Sequence, residues 1–220
     1  MGFEVKLTML SYGNVIEKFK NDKIDGAFPG FITGGLAITQ LGVVPLARPV
    51  NINGSSSYQG YIITRKDISI RTFLDMKGKS VALVEETTAG FVFPLAWVKQ
   101  HGVDETSTYL GEQFISSSHD RVIAWALNGK ADFGAAKSSI YNNMRKWQPW
   151  INSELVVLAQ SSTVPSNTLC VSPKLDQQYK DQLKELLLNM CGYPDGRAAL
   201  KQLGAKRFIE TYREQYQPVF

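Results

Sequence analysis

The chain has 220 residues, 44 % hydrophobic and 20 % charged, with a net charge of +4, the profile of a globular protein holding one large domain or two lobes of about 100 residues each. No apolar run reaches the roughly 18 residues that span a bilayer as a helix, and the Lys and Arg residues are scattered rather than gathered into a basic cluster, which argues against a nucleic-acid partner while suiting a collector of small anions. Cys170 and Cys191 stand apart without a CxxC; two thiols leave the redox compartment open, and with no metal-ligand spacing no metal site is expected.

The start, Met1-Gly-Phe-Glu-Val5, carries neither a basic n-region nor an apolar h-region, so a secretion signal is expected to be missing from this sequence. Myristoylation of Gly2 is the competing reading of Met-Gly, and a strand so close to the terminus opposes it. Residues 5–10 read as a strand, Ser11-Tyr-Gly-Asn14 as a turn, and Val15, Ile16 and Phe19 as the apolar face of a helix that Asn21-Asp22 ends. Strands follow over 24–28 and 43–50, with a helix between them over 31–41 and a loop over 51–57. Residues 60–64 form an apolar strand closed by Arg65-Lys-Asp67, and 70–76 a short helix.

The next stretch organises the rest: Ser80-Val-Ala-Leu-Val-Glu-Glu-Thr-Thr-Ala-Gly-Phe-Val-Phe-Pro94. A buried strand over 80–84 turns through Thr87 and Thr88 into a helix that runs to about Gln100, ended by His101-Gly102. A capping threonine leaves backbone N–H groups pointing out of the helix start, at the positive end of its dipole. Two hydroxyls and a glycine there let a small anion approach the backbone. The plain alternative is a strand-to-helix joint whose threonine only caps its own helix. Glu85 and Glu86 would repel an anion and are expected to face outward.

Residues 113–116 read as a strand and Ser117-Ser-His-Asp120 as a helix start, with Val122, Ile123, Ala126 and Leu127 as the apolar face and Asn128-Gly129 as the stop. Strands over 131–136, 155–160 and 168–172 and helices over 177–189 and 195–203 complete the pattern. Residues 144–151 read as irregular, with Trp147 and Trp150 placed between lobes, and 211–220 as a tail. Strands alternating with helices predict α/β layers with largely parallel sheets. Asn21-Asp-Lys-Ile-Asp25 recurs 107 positions on as Asn128-Gly-Lys-Ala-Asp132, and the same offset pairs Val15 with Val122, Ile16 with Ile123 and Tyr12 with His119. The repeat predicts two α/β lobes of like build. Ligands of open α/β sheets sit beyond the carboxyl ends of strands, at helix N-termini. Tyr12, Thr87, Thr88 and His119 fall there, so two facing lobes would make a cleft able to close on a ligand.

No enzyme signature accompanies these residues. His119 has no GxSxG or Cys–His pattern beside it. Gly78-Lys-Ser80 looks like the end of a P-loop, but Phe73 stands where the upstream glycine is needed and a strand follows instead of a helix. No carboxylate pair suits acid–base work, although an enzyme on such a fold stays open. His119 as a capping histidine, Tyr12 and Tyr58 as half-buried tyrosines and Lys137 as a solvated lysine are the bland readings of the same residues.

At these residues the chain resembles the phosphate/phosphite/phosphonate-binding proteins of ABC transporters, within the periplasmic type II binding-protein fold. The similarity rests on Ser11-Tyr12, Asp25-Gly-Ala-Phe-Pro-Gly30, Tyr58-Gln-Gly-Tyr-Ile-Ile-Thr-Arg-Lys-Asp67, Thr87-Thr-Ala-Gly-Phe91, Ser118-His-Asp120 with Asn128-Gly-Lys-Ala-Asp132, and Val164-Pro165. It implies a two-lobed α/β fold, each lobe a mixed, mainly parallel sheet flanked by helices. Lobe one would comprise 1–68 plus 163–220, without the family's first β-α unit, and lobe two 69–162. The hydroxyls and N–H groups of Thr87 and Thr88 would hold the anion's oxygens, with Ala89 where the family often has a third hydroxyl. Tyr12 and Tyr58 would reach in from lobe one and His119 from lobe two, its cationic form favoured by the ligand. Lys137 and Ser138 lie at the same strand end. Where aminophosphonate binders place acidic residues against an ammonium, this chain has Ser139 and Asn167, so a ligand without an amine is expected and Lys137 would add positive charge. The implied function is non-catalytic binding of a small phosphorus oxyanion in an interlobe cleft for ABC-transporter uptake, periplasmic or otherwise extracytoplasmic, with a membrane permease as partner and neither cofactor, metal nor nucleic acid. The alternatives are the sensing domain of a membrane-bound signalling protein such as a histidine kinase, with a fused membrane module as partner, and a cytosolic effector domain of a transcription regulator.

Overall fold

A computed structural model of the chain describes residues 4–10 and 14–217; Tyr12 lies outside the described residues. The chain opens with α1 (Asn14–Lys20), β1 (Gly26–Ala27), α2 (Phe31–Leu41) and β2 (Val44–Asn51). It continues through β3 (Gly60–Arg65), β4 (Val81–Val84), α3 (Phe93–Gln100), α4 (Thr106–Tyr109) and β5 (Gln113–Ser116). Next come α5 (His119–Leu127), β6 (Phe133–Lys137), α6 (Ser138–Trp147), α7 (Trp150–Glu154) and β7 (Leu155–Gln160). The last elements are β8 (Leu169–Val171), α8 (Gln177–Asn189), α9 (Pro194–Leu203) and β9 (Ala205–Glu210). Two compact units result, one from the chain up to Ser57 and from Val164 onward, the other from Tyr58–Thr163.

In the first unit the strand order is β1-β8-β2-β9 and every pairing is antiparallel. The expectation of mainly parallel strands needs correcting here. The β1-α2-β2 crossover skips one position, and β8, arriving from the far end of the chain, fills it in the opposite direction. Ala47, Leu200, Ala205 and Phe208 form the core under α8 and α9. The strand expected over 5–10 is not formed: among the described residues it joins no ladder, and Leu7 and Met9 are 89 % and 97 % exposed. Strand β9, by contrast, was not legible, because a register shift between Ala205 and Arg207 breaks its period-two alternation.

The second unit has the order β5-β4-β6-β3-β7. Here β4 runs parallel to β5 and β6, whereas β3 is antiparallel to β6 and β7. Both faces are covered, which is why all four residues of β4 are buried and read as a continuous apolar run. Ile62, Leu83, Phe93, Val98 and Phe133 belong to one core cluster, and Ile63, Ile123, Ala126, Tyr141 and Ile151 to another. Strand β3 feeds both clusters, with Ile62 and Ile63 each 0 % exposed. That double burial places it, with Tyr58, in the second unit, so the boundary expected at 68 falls at 57. The helix expected over 70–76 is a single turn, Leu74–Met76, closed by the Asp75 carboxylate on the N–H groups of Arg71 and Thr72. Trp147 and Trp150 are solvent-exposed, at 80 % and 55 %.

The internal repeat is reproduced bond for bond. After α1, the N–H groups of Asn21, Asp22 and Lys23 donate to the carbonyls of Glu17, Phe19 and Lys18. After α5, those of Asn128, Gly129 and Lys130 donate to Ala124, Ala126 and Trp125, the same partners at the same offset. Each is a Schellman-type stop with a left-handed residue, Asp22 at φ 52° and Gly129 at φ 72°. Each delivers the chain into a strand, β1 or β6.

Candidate functional site

The parallel run of β4 against β5 and β6 brings three strand ends to one edge of the second unit's sheet, and each is followed at once by a helix start. A wide π-turn, Thr88–Val92, leads from β4 into α3; His119 is the first residue of α5; Ser138 is the first residue of α6. Helix starts leave N–H groups without intrahelical partners and carry positive partial charge. Strand β3 runs the other way with Gly60 opposite Lys137, so Tyr58 reaches the same edge. Tyr58, Thr87, Thr88, Ala89, His119, Lys137 and Ser138 therefore all lie in this unit, and Tyr58 does not come from the other one as expected.

Thr87 realises the bland reading. Its Oγ1 donates to the Val84 carbonyl at 2.7 Å and accepts the Gly90 N–H at 3.1 Å. The hydroxyl proton is thus committed within the turn, a correction to its expected part as an anion donor. Gly90 is required here: a Cβ would lie 2.7 Å from the Val84 Cβ and 2.8 Å from the Thr87 Oγ1. The Phe91 and Val92 N–H groups both bond to the Thr87 carbonyl, which gives the turn its width. Thr88 and Ala89 are buried, while Glu85 and Glu86 are exposed and face outward as expected, Glu86 making the turn at φ 59°.

His119 and Lys137 are coupled through the backbone. The Lys137 N–H donates to His119 Nδ1 at 3.3 Å, so in the neutral ring the proton sits on Nε2, which is left as a donor. Burial pushes the His119 pKa down to about 4, with the Lys137 charge adding to the effect and Asp120 opposing it. Burial also lowers Lys137, to about 8, and its Nζ stands 4.1 Å from the centroid of the Tyr58 ring. Next along the chain, Ser138 Oγ accepts the Gln59 N–H at 2.9 Å and the Ser138 N–H donates to the Gln59 carbonyl at 2.8 Å. Gln59 also donates through Nε2 to the Ser161 carbonyl at 2.8 Å. This clamp holds Tyr58 over Lys137, and no sequence signal marks Gln59 for it. Asn167 belongs to the first unit, where Nδ2 donates to the Phe28 carbonyl at 3.4 Å.

Neutral N–H and hydroxyl donors, one ammonium and converging helix starts form a set that suits an oxyanion. Among the described residues no group of three His, Cys, Asp or Glu is placed to hold a metal, and no helix is long and apolar enough to cross a membrane. The sequence pattern of the family described as "ABC transporter, phosphonate, periplasmic substrate-binding protein" matches residues 1–216. The chain belongs to this family. The "Phosphonates-binding periplasmic protein" of Escherichia coli (strain K12) is 22 % identical over 213 residues, which cover 94 % of this chain and 62 % of that protein. The chain therefore spans less than two thirds of that relative. The "Probable ABC transporter phosphite binding protein PhnD1" of Prochlorococcus marinus (strain MIT 9301) is 23 % identical over 240 residues, 98 % of this chain and 76 % of that one. Among solved structures, a binding protein component of an ABC phosphonate transporter from Pseudomonas aeruginosa superposes with a TM-score of 0.78 at 20 % identity, covering 93 % of this chain and 69 % of the other. PhnD1 from Prochlorococcus marinus in complex with methylphosphonate gives 0.77 at 22 % identity, covering 95 % and 80 %. Family members of this kind have the type II periplasmic binding-protein fold, and so does this chain.

Proposed function

We propose that this protein binds a small phosphorus oxyanion, without turning it over, as the extracytoplasmic binding component of an ABC transporter that delivers it to a membrane permease. The observation that carries the reading is the meeting of three helix starts with His119 and Lys137 at one sheet edge. Membership of the family, and relatives named as phosphonates-binding and phosphite binding, support the class of ligand. In this reading the N–H groups at the starts of the π-turn and α5, and those of α6 after Ser138, whose own N–H is bonded to Gln59, donate to the anion's oxygens, together with the Thr88 hydroxyl and His119 Nε2–H. Thr87 and Ala89 shape the turn, Tyr58 steadies Lys137, and Lys137 supplies the charge.

A thermal-shift screen with phosphate, phosphite, methylphosphonate, 2-aminoethylphosphonate, sulfate and taurine tests the reading. A true ligand at a hundredfold excess over its dissociation constant adds about 2.7 kcal/mol of stability. Thr88→Ala and His119→Ala are expected to weaken binding about tenfold or more while leaving the fold intact, since each removes a charge-assisted donor. Unchanged affinity in both variants would sink the site. Phosphorus NMR of a phosphonate held with excess protein should show the ligand unaltered; released phosphate would instead mean an enzyme.

A further inference from the structure

Residues 59 and 60 stand where the chain has just entered the second unit, and they touch two of the three helix starts at the site. Helix α6 has no side-chain cap. Instead the Gln59 carbonyl accepts the Ser138 N–H at 2.8 Å, and the Gln59 N–H donates to Ser138 Oγ at 2.9 Å. Gly60 lies against the π-turn: a Cβ there would stand 2.6 Å from Phe93 Cδ1 and 3.2 Å from the Ala89 Cα. Both residues are also fastened to Ser161, close to where the chain leaves the unit at Thr163. Gln59 Nε2 donates to the Ser161 carbonyl at 2.8 Å and the Gly60 N–H to Ser161 Oγ at 2.8 Å, while the Ser161 N–H returns to the Gly60 carbonyl at 2.9 Å. Ser161 Oγ passes its own proton to the Ser162 carbonyl at 2.7 Å, which leaves its lone pairs for Gly60. The backbone bonds in this set are open to almost any residue at position 59. The bond from Nε2 is not, since it needs a donor at the end of a side chain of glutamine's length.

We infer that Gln59 is a positioning residue for the anion site, a role that rests on the phosphorus-oxyanion reading above. Its side-chain amide locks the segment that touches the π-turn and α6 to the segment that leaves the unit. An anion seated on those helix starts and an ordered Ser161 then stabilise each other. Donors already held by an outer set of hydrogen bonds lose little freedom when an anion arrives. Linkage makes the effect reciprocal: whatever loosens Ser161 weakens the anion, and the anion tightens Ser161 by the same factor.

The test is amide hydrogen exchange followed by NMR on the full chain and on Gln59→Met, which keeps the side-chain length and removes the donor. The probe is whichever of methylphosphonate, phosphite and phosphate binds most tightly by isothermal titration, added to saturation. The control is the Lys66 N–H, which bonds to the Glu154 carbonyl beyond the other end of β3. In the wild type the anion should slow exchange at Ser161 at least about fivefold more than at Lys66. Gln59→Met should bind the anion about three- to tenfold more weakly, the share of one hydrogen bond, and slow Ser161 and Lys66 alike. A glutamine that serves stability alone would lower the denaturation midpoint on replacement and change neither the affinity nor the extra protection at Ser161. Equal slowing at the two amides in the wild type overturns the inference while leaving the phosphorus-oxyanion reading standing. So does a folded Gln59→Met whose affinity stays within about twofold of the wild type, or whose Ser161 keeps its extra protection. Where the variant does not fold, the wild-type comparison decides alone. No binding of any of the three anions brings down both.

Discussion

His119 shows how position, more than residue type, sets the chemistry of a side chain. Burial holds its pKa near 4, below the ordinary value of about 6.5 for an exposed histidine. The unfolded chain therefore takes up a proton on His119 at a higher pH than the folded chain does. The stability present above pH 6.5 or so is lost as pH falls through the window down to about 4. Urea denaturation of the ligand-free protein across that window should show the loss, and His119→Gln, which has nothing to titrate, should make the profile shallower. Superimposable profiles would mean that His119 is not held neutral. The sequence had suggested a histidine made cationic by its ligand, whereas in the free protein burial and the Lys137 N–H on Nδ1 hold the ring neutral. The lysine itself looked ordinary in the sequence, because nothing local reveals that Tyr58 arrives over it from another strand. Thr87 was legible as a cap, since capping is a matter of neighbours, but the loss of its hydroxyl proton to Val84 was not.

Local chemistry also decides which elements could be read. Both copies of the repeat end their helices with a left-handed residue and the same three backbone bonds, which is why Asn-Asp and Asn-Gly gave the right stops. Gly129→Ala is expected to cost about 1–2 kcal/mol, the penalty of a Cβ in the left-handed region, and Gly129→Asn distinctly less, because asparagine tolerates that region. Chemical denaturation of the two variants compares them directly. Equal losses would point to crowding against Arg65, whose Nη1 would lie 2.4 Å from either Cβ. The π-turn makes a sharper case. A Cβ at Gly90 has nowhere to go between Val84 and Thr87, so Gly90→Ala should cost about 1–3 kcal/mol by overpacking and distort the start of α3. A variant as stable as the parent, with unaltered anion affinity, would show that the turn does not shape the site. Strand direction, in contrast, was out of reach: whether β1 and β2 become neighbours depends on β8, contributed by residues more than a hundred positions away in the chain. The start of α6 was missed for a related reason, as no side chain caps it; its first turn is held by the bonds of Ser138 to Gln59.

At the scale of the whole molecule, the two units differ in how the chain builds them. The first is assembled from both ends of the sequence, the second from the single run Tyr58–Thr163. The sequence suggested this interrupted arrangement but set the first boundary eleven residues late, at 68 instead of 57, because Arg65-Lys-Asp67 looks like a linker while Ile62 and Ile63 carry no mark of the core they enter. The placement has a consequence for folding. A contiguous segment of about 100 residues with its own five-stranded sheet and apolar clusters on both faces meets the requirements of an autonomous domain. Residues 58–163 expressed alone should therefore give a cooperative thermal transition, while residues 69–162, which lack β3, should not, because the sheet would lose the strand that joins β6 to β7. Circular dichroism melts of the two fragments decide it. If both melt cooperatively, β3 is dispensable to the second unit; if neither does, the unit depends on the rest of the chain. In a folded 58–163 fragment, methylphosphonate should shift the amide resonances of Thr88 and His119, since the helix starts, the histidine and the lysine proposed to hold the anion are all carried by that one segment.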